Sequence, residues 1–108
     1  MINFEDFTKL DIRIGTITSA EKMEGADRLL KLTVDVGEES ERQIVSGIAE
    51  HFPEPEALFG RQVPVLLNLE PRKIRGVESQ GMILYVVGED MLTTLSPGEK
   101  VENGIPVK

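Results

Sequence analysis

Between Leu10 and Ala20 apolar and polar positions alternate. Leu10, Ile12 and Ile14 share one parity, Ile17 takes the other, and Gly15 lies where the parity changes. A period of two with a slip at a glycine predicts a long strand carrying a bulge or sharp bend. Leu30, Leu32, Val34 and Val36 alternate with Lys31, Thr33 and Asp35, which predicts a strand with one buried and one wet face. Gly37 to Glu41 reads as an exposed turn, and Arg42 to Val45 as a third short strand. After Pro53 and Pro55, Glu56-Ala57-Leu58-Phe59 has room for one helical turn, closed by Gly60. Gln62 to Leu69 and Met82 to Val87 are rich in Val, Ile and Leu, as buried strands are.

The two ends read differently. Asn3 is a helix N-cap with Glu5 and Asp6 in the first turn, where the helix dipole favours negative charge, and Ile2 and Phe7 have the spacing of a hydrophobic staple. A short N-terminal helix is predicted. Leu92 to Leu95 and Val101 to Lys108 alternate weakly and are broken by Pro97, Gly98, Gly104 and Pro106, so they read as short edge strands or extended tail. Three strands, a connection with a little helix, then two strands is the element order of an OB barrel, whose closure leaves no strand edge open. SH3-like barrels share much of this order, so the pattern alone leaves both open.

Composition narrows the class. A chain of 108 residues fits one domain, with 40% hydrophobic and 29% charged residues and no low-complexity tract. There is no cysteine for disulfide or thiolate chemistry. The acidic start lacks the basic head and apolar run of a secretory signal, and no stretch reaches the roughly 20 apolar residues of a membrane helix. The cytoplasm is the expected compartment. A net charge of -7 and a pI near 4.7 oppose nonspecific nucleic-acid binding. Fields are screened within about 8–10 Å at physiological salt, so one face can still differ from the whole.

The chain nominates no catalytic residue. His51 is the single histidine and sits in a connection beside Phe52-Pro53, where a surface or capping role is expected; no metal site is assigned. Ser46 and Ser79 lie outside any nucleophile elbow, and neither a phosphate-binding loop nor a dinucleotide fingerprint is present. No cofactor is expected. The informative feature is Arg72-Lys73-Ile74-Arg75, three positive charges in four positions between two apolar strands. Pro71 restricts the approach, Gly76 and Gly81 permit unusual backbone, and Ser79-Gln80 adds neutral hydrogen-bonding groups, a set suited to phosphates. With no Trp, one Tyr and four Phe, two of them in the N-terminal segment, base-by-base stacking on single strands is disfavoured and a folded RNA read by its backbone is the better fit. By pattern alone Met82 belongs to the core, with a soft contact to a base or ribose as the other reading.

Four collinear blocks then carry a resemblance: Phe7 to Gly15, Ala26 to Leu32, Arg42 to Ala49, and Asn68 to Met82. Together they resemble the tRNA-binding domain at the C-terminus of methionyl-tRNA synthetases. The resemblance implies an all-β chain: a five-stranded OB-fold barrel with a short N-terminal helix, a small helical connection before strand 4 and added C-terminal strands. It also implies a homodimer and binding to the outer corner of tRNA, without catalysis. Its Ser-x-x-Met signature falls on Ser79 and Met82, and its RNA-facing positions on Lys31, Arg42, Asn68, Arg72, Lys73 and Arg75. Glu70 departs from the pattern, where similar proteins usually carry lysine, and lowers the local positive field. Starting at Met1 without a catalytic domain, the chain is similar to the free-standing form, a methionyl-tRNA synthetase β-subunit, with the synthetase as a further partner. A related branch consists of export-linked, peptide-binding chaperones; a docking subunit that recruits a catalytic partner is a third reading.

Overall fold

The computed structural model describes residues 1–108 and is organised around β1 (Ile12–Met23), a strand long enough to serve two neighbours in turn. Its first part pairs antiparallel with β4 (Gln62–Leu66), from Ile12 opposite Leu66 to Thr16 opposite Gln62. From Thr16 onward it pairs with β2 (Ala26–Asp35), whose other edge carries β3 (Arg42–Ser46). β4 in turn pairs with β7 (Met82–Ile83), giving a five-stranded antiparallel sheet in the order β3-β2-β1-β4-β7. The all-β class follows.

The parity slip in β1 is where two demands meet. Ile12 and Ile14 face inward on one side of it, and Ile17 on the other. Gly15 sits so close to β2 that an added Cβ would lie 2.7 Å from Val36 Cγ1 and 2.9 Å from the Asp35 carbonyl oxygen. The irregularity in the ladder itself falls later, between Ile17 and Ser19. Gly15 thus permits the close crossing, and the residues after it absorb the bulge.

Ile17, Leu30, Leu32, Val34, Ile44 and Val65 form the centre of one buried apolar cluster. The helical turn expected at Glu56–Phe59 is a 3₁₀ turn, Pro55–Leu58, and a second 3₁₀ turn, Ala49–His51, precedes it. The turn Pro55–Leu58 buries Leu58 completely, and Gly60 N–H donates to the Ile17 carbonyl at 2.8 Å, tying the connection to β1. His51 is exposed at the end of the turn Ala49–His51.

Four expectations need correction. Leu10 is 45% exposed, because β1 begins only at Ile12. The helix α1 (Phe4–Thr8) has its N-cap, with Asp6 N–H donating to Asn3 Oδ1 at 2.9 Å and Asn3 N–H returning to the Asp6 carboxylate at 3.2 Å, yet it buries no residue, and Phe4 is 76% exposed. The apolar run 82–87 is not one strand. β7 ends at Ile83, and β8 (Tyr85–Val87) turns away to form a separate hairpin with β9 (Leu92–Thr94). The segment 70–81 is no open loop but contains the hairpin β5 (Arg72–Ile74) and β6 (Val77–Ser79).

No ladder joins β3 to β7. The gap is bridged instead by Gln80, whose N–H donates to the Gln43 carbonyl at 2.8 Å and whose Oε1 accepts from Gln43 N–H at 3.0 Å. The C-terminal tail lies along the start of β1: Gly104 N–H donates to the Ile14 carbonyl and Val107 N–H to the Ile12 carbonyl, each at 2.8 Å. No helix is long and apolar enough to cross a membrane.

Candidate nucleic-acid interface

In the β5–β6 hairpin Arg72 lies opposite Ser79, Lys73 opposite Glu78 and Ile74 opposite Val77, leaving Arg75-Gly76 as a two-residue turn. Both turn residues have positive φ, 53° and 79°, as a type I′ turn requires to match the twist of its strands. Glycine adopts this freely, whereas an arginine there is strained by about 1 kcal/mol. The period of two sorts the cations. Arg72 shares the face of Ile74 and Ser79 toward the body of the protein, Lys73 takes the opposite face, and Arg75 occupies the tip.

The hairpin is held from below. Ser79 is only 6% exposed, and its Oγ accepts from Val45 N–H at 3.0 Å, while Gln43 Nε2 donates to the Glu78 carbonyl at 2.9 Å. Gly81, at φ 122°, lies so near β4 that a Cβ would be 2.8 Å from the Leu66 carbonyl oxygen. Arg42 locks the base: one nitrogen, Nη1, donates to the carbonyls of Leu67 at 2.8 Å and Gln80 at 3.2 Å, and Nε and Nη2 grip both oxygens of Glu38 at 2.8 and 2.9 Å. The hydrogen bond from Arg42 holds the Glu38 carboxyl below its ordinary pKa, and the same bond raises Arg42 further.

The candidates therefore divide. Arg72, Lys73 and Arg75 are exposed and belong to none of the five ion pairs in the molecule, although Glu78 stands opposite Lys73. Lys31 is paired with Glu21, its neighbour across β1 and β2, at 2.9 Å. Arg42 is occupied as described. Asn68 accepts from Asp11 N–H at 2.9 Å and donates from Nδ2 to the Lys9 carbonyl at 2.6 Å, fixing the chain between α1 and β1. Ser79 belongs to the seam. Met82, expected in the core by pattern, is 44% exposed beside the hairpin while its neighbour Ile83 is buried.

Arg72 and Met82 share a pocket of about 310 Å³ with Glu70, Ile48, Ile83 and Tyr85. Tyr85 and Glu70 were not among the candidates; Tyr85 had no local signal, since its partner Ser46 lies 39 residues away, with Tyr85 OH donating to Ser46 Oγ at 3.0 Å. Burial pushes the Tyr85 phenol up to about 12, partly opposed by that hydrogen bond. Tyr85 is the single tyrosine, so phenolate absorbance reads it directly. The titration is expected to have its midpoint at about 12. The unfolded phenol ionises near about 10, so the stability linked to the neutral form is present below about pH 10 and is lost as pH rises through the folded value. A midpoint near about 10 would show the ring to be solvated.

Comparison with known proteins bears on this geometry. Residues 12–106 match the family described as "Putative tRNA binding domain". The chain belongs to that family. Over 108 residues it is 55% identical to the methionine–tRNA ligase of Flavobacterium johnsoniae, covering 99% of this chain and 15% of that protein. A similar match, 53% over 105 residues, covers 96% of this chain and 15% of the methionine–tRNA ligase of Methanococcoides burtonii. The chain thus spans about 15% of the length of the curated relatives it matches. Among solved structures, the MetRS related protein from Pyrococcus horikoshii superposes with a TM-score of 0.91 at 38% identity, covering 100% of this chain and 98% of that one. Chaperone CsaA from Bacillus anthracis does so with 0.89 at 34% identity, covering 100% and 99%.

Proposed function

We propose that this domain is a non-catalytic, cytoplasmic module that binds folded tRNA at its outer corner by shape and assists methionyl-tRNA synthetase. One observation carries the reading: in a chain of net charge -7, the hairpin holds three exposed cations, none of them in an ion pair. Across Glu70 to Glu78 three cations stand against two carboxylates, a local charge of +1. At hairpin scale this local sign outweighs the distant negative charge, because contact with phosphate occurs inside the screening length. The scarcity of aromatic residues favours backbone contact over base-by-base stacking.

The relation to methionine–tRNA ligases supports tRNA as the RNA and the synthetase as a partner. A homodimer is part of the same reading. Apolar side chains at both chain ends, Ile2, Phe4, Leu10, Ile105 and Val107, are exposed, and the tail is hydrogen-bonded beside the start of β1. Two hairpins on one particle gain from effective concentration on a rigid tRNA.

The test is a mobility shift with total tRNA across a salt series. With Z phosphate contacts, log K is expected to fall with log[salt] at a slope of about -0.7Z to -0.9Z, so three cations give roughly -2 to -3 per hairpin. Absence of a shift at low salt would end the RNA reading. The likeness to chaperone CsaA supports a second one, peptide binding, and capture of unfolded polypeptide without any tRNA shift would favour it.

A further inference from the structure

The pocket under the hairpin has two unlike parts. Its floor is apolar, built from Ile48 and Ile83, both almost fully buried, with Tyr85 and the exposed Met82 beside them. Two exposed residues of opposite charge, Glu70 and Arg72, also line the pocket. These two do not pair with each other or with any other charged side chain, and neither side chain is spent on a hydrogen bond within the protein. An apolar slot with a free two-oxygen acceptor and a free guanidinium fork at its mouth is complementary to a flat heterocycle that presents donors on one edge and acceptors on the next.

Volume limits the occupant. At about 310 Å³ the pocket stands at the small end of the roughly 300–1,000 Å³ range of ligand pockets, enough for one base. The rim then selects among bases. A carboxylate only accepts, and a guanidinium only donates. Guanine alone offers adjacent donors, N1–H and N2–H, to the one, together with the O6 and N7 acceptor pair to the other. Adenine and cytosine each bring a single amino group, and uracil a single ring N–H, so each leaves part of the rim unpaired. Tyr85 and Met82 supply a flat face and a polarizable sulfur for the ring.

We propose that this pocket receives one guanine base of the bound RNA, with Glu70 accepting from N1–H and N2–H and Arg72 donating to O6 and N7. The inference rests on the tRNA reading and adds a base-specific contact to an otherwise shape-directed one; with Arg72 on the base, Lys73 and Arg75 remain for phosphate, and the salt slope is expected at about -1.4 to -1.8 per hairpin. Glu70, which lowers the positive field of the hairpin, becomes the specificity-determining residue.

The experiment uses the full chain labelled at its methionine methyl groups and follows the Met82 resonance, assigned with Met82→Leu, during titration with GMP, IMP, AMP and CMP. All four probes carry the same phosphate, so differences report the base. GMP is expected to shift Met82 and to bind about tenfold more tightly than IMP, which lacks the N2 amine, and than AMP or CMP, as losing hydrogen bonds to a charged group predicts. In Glu70→Gln the advantage over IMP is expected to shrink to about twofold or less. Equal affinity for GMP and AMP, or a GMP preference that survives intact in Glu70→Gln, overturns the proposal. A tRNA mobility shift run in parallel separates the two readings. If tRNA binds and no preference for GMP exists, the guanine pocket alone is wrong; if tRNA does not bind, the RNA reading fails and the pocket's assignment to RNA fails with it.

Discussion

Replacing both Arg72 and Arg75 by glutamate is expected to weaken tRNA binding by on the order of a hundredfold or more at physiological salt, because it reverses two of three unpaired cations and cancels their counterion release. Both side chains are exposed and neither is in an ion pair, so the fold should hardly notice. Exposed substitutions of this kind stay within about 0.5 kcal/mol each, a Tm change of a few degrees at roughly 4–8 °C per kcal/mol. Arg75→Gly sharpens the point. It relieves the positive φ of 53° and should stabilise the domain by about 1 kcal/mol while affinity still falls, since one cation is gone. Mobility shifts and thermal melts on the same samples check both. Unchanged affinity in the double variant would mean that phosphates are met elsewhere; a collapse in Tm would mean that the hairpin is structural.

The opposite profile is expected at Arg42. Arg42→Met keeps the volume but strips the Leu67 and Gln80 carbonyls and the Glu38 carboxylate of their donor. With side chains of 23% and 44% exposure, water compensates only in part, and the loss should be about 2–3 kcal/mol, or roughly 10–20 °C in Tm. A pH series isolates the ionic share. The Glu38 pKa is depressed in the folded state, so its contribution is present above the ordinary glutamate value of about 4.3 and is lost as pH falls through the lower folded value. Glu38→Gln should abolish that acid-side loss while leaving the neutral-pH fold intact. A melt of Arg42→Met indistinguishable from the parent would return Arg42 to the pool of free RNA-facing cations.

These two arginines show how far residue type alone carries a site. Arg42 and Arg72 were both expected to face RNA, and only the fold separates them: Glu38 and the carbonyls of Leu67 and Gln80 close on the Arg42 guanidinium, while that of Arg72 has no such partner. Asn68 is engaged in the same way by Lys9 and Asp11, and Lys31 is in a surface pair with Glu21. Met82 moves the other way, from an apolar run to an exposed lip, because β7 ends one residue later and the chain turns into β8.

What the sequence determined by itself is what depends on neighbours a few residues apart. The period of two in β1 and β2, the capping of α1 at Asn3, and the concentration of charge at Arg72-Lys73-Arg75 are all local, and each is found in the folded chain. What the tertiary structure decided depends on partners dozens of residues away. The seam from Gln43 to Gln80, the grip of Arg42 and the pairing of Tyr85 with Ser46 arise when distant segments meet, and their hydrogen bonds leave no trace in spacing or composition. The same meeting leaves Glu70 and Arg72 unpaired above an apolar floor, a juxtaposition that exists only once the hairpin is pinned against β3.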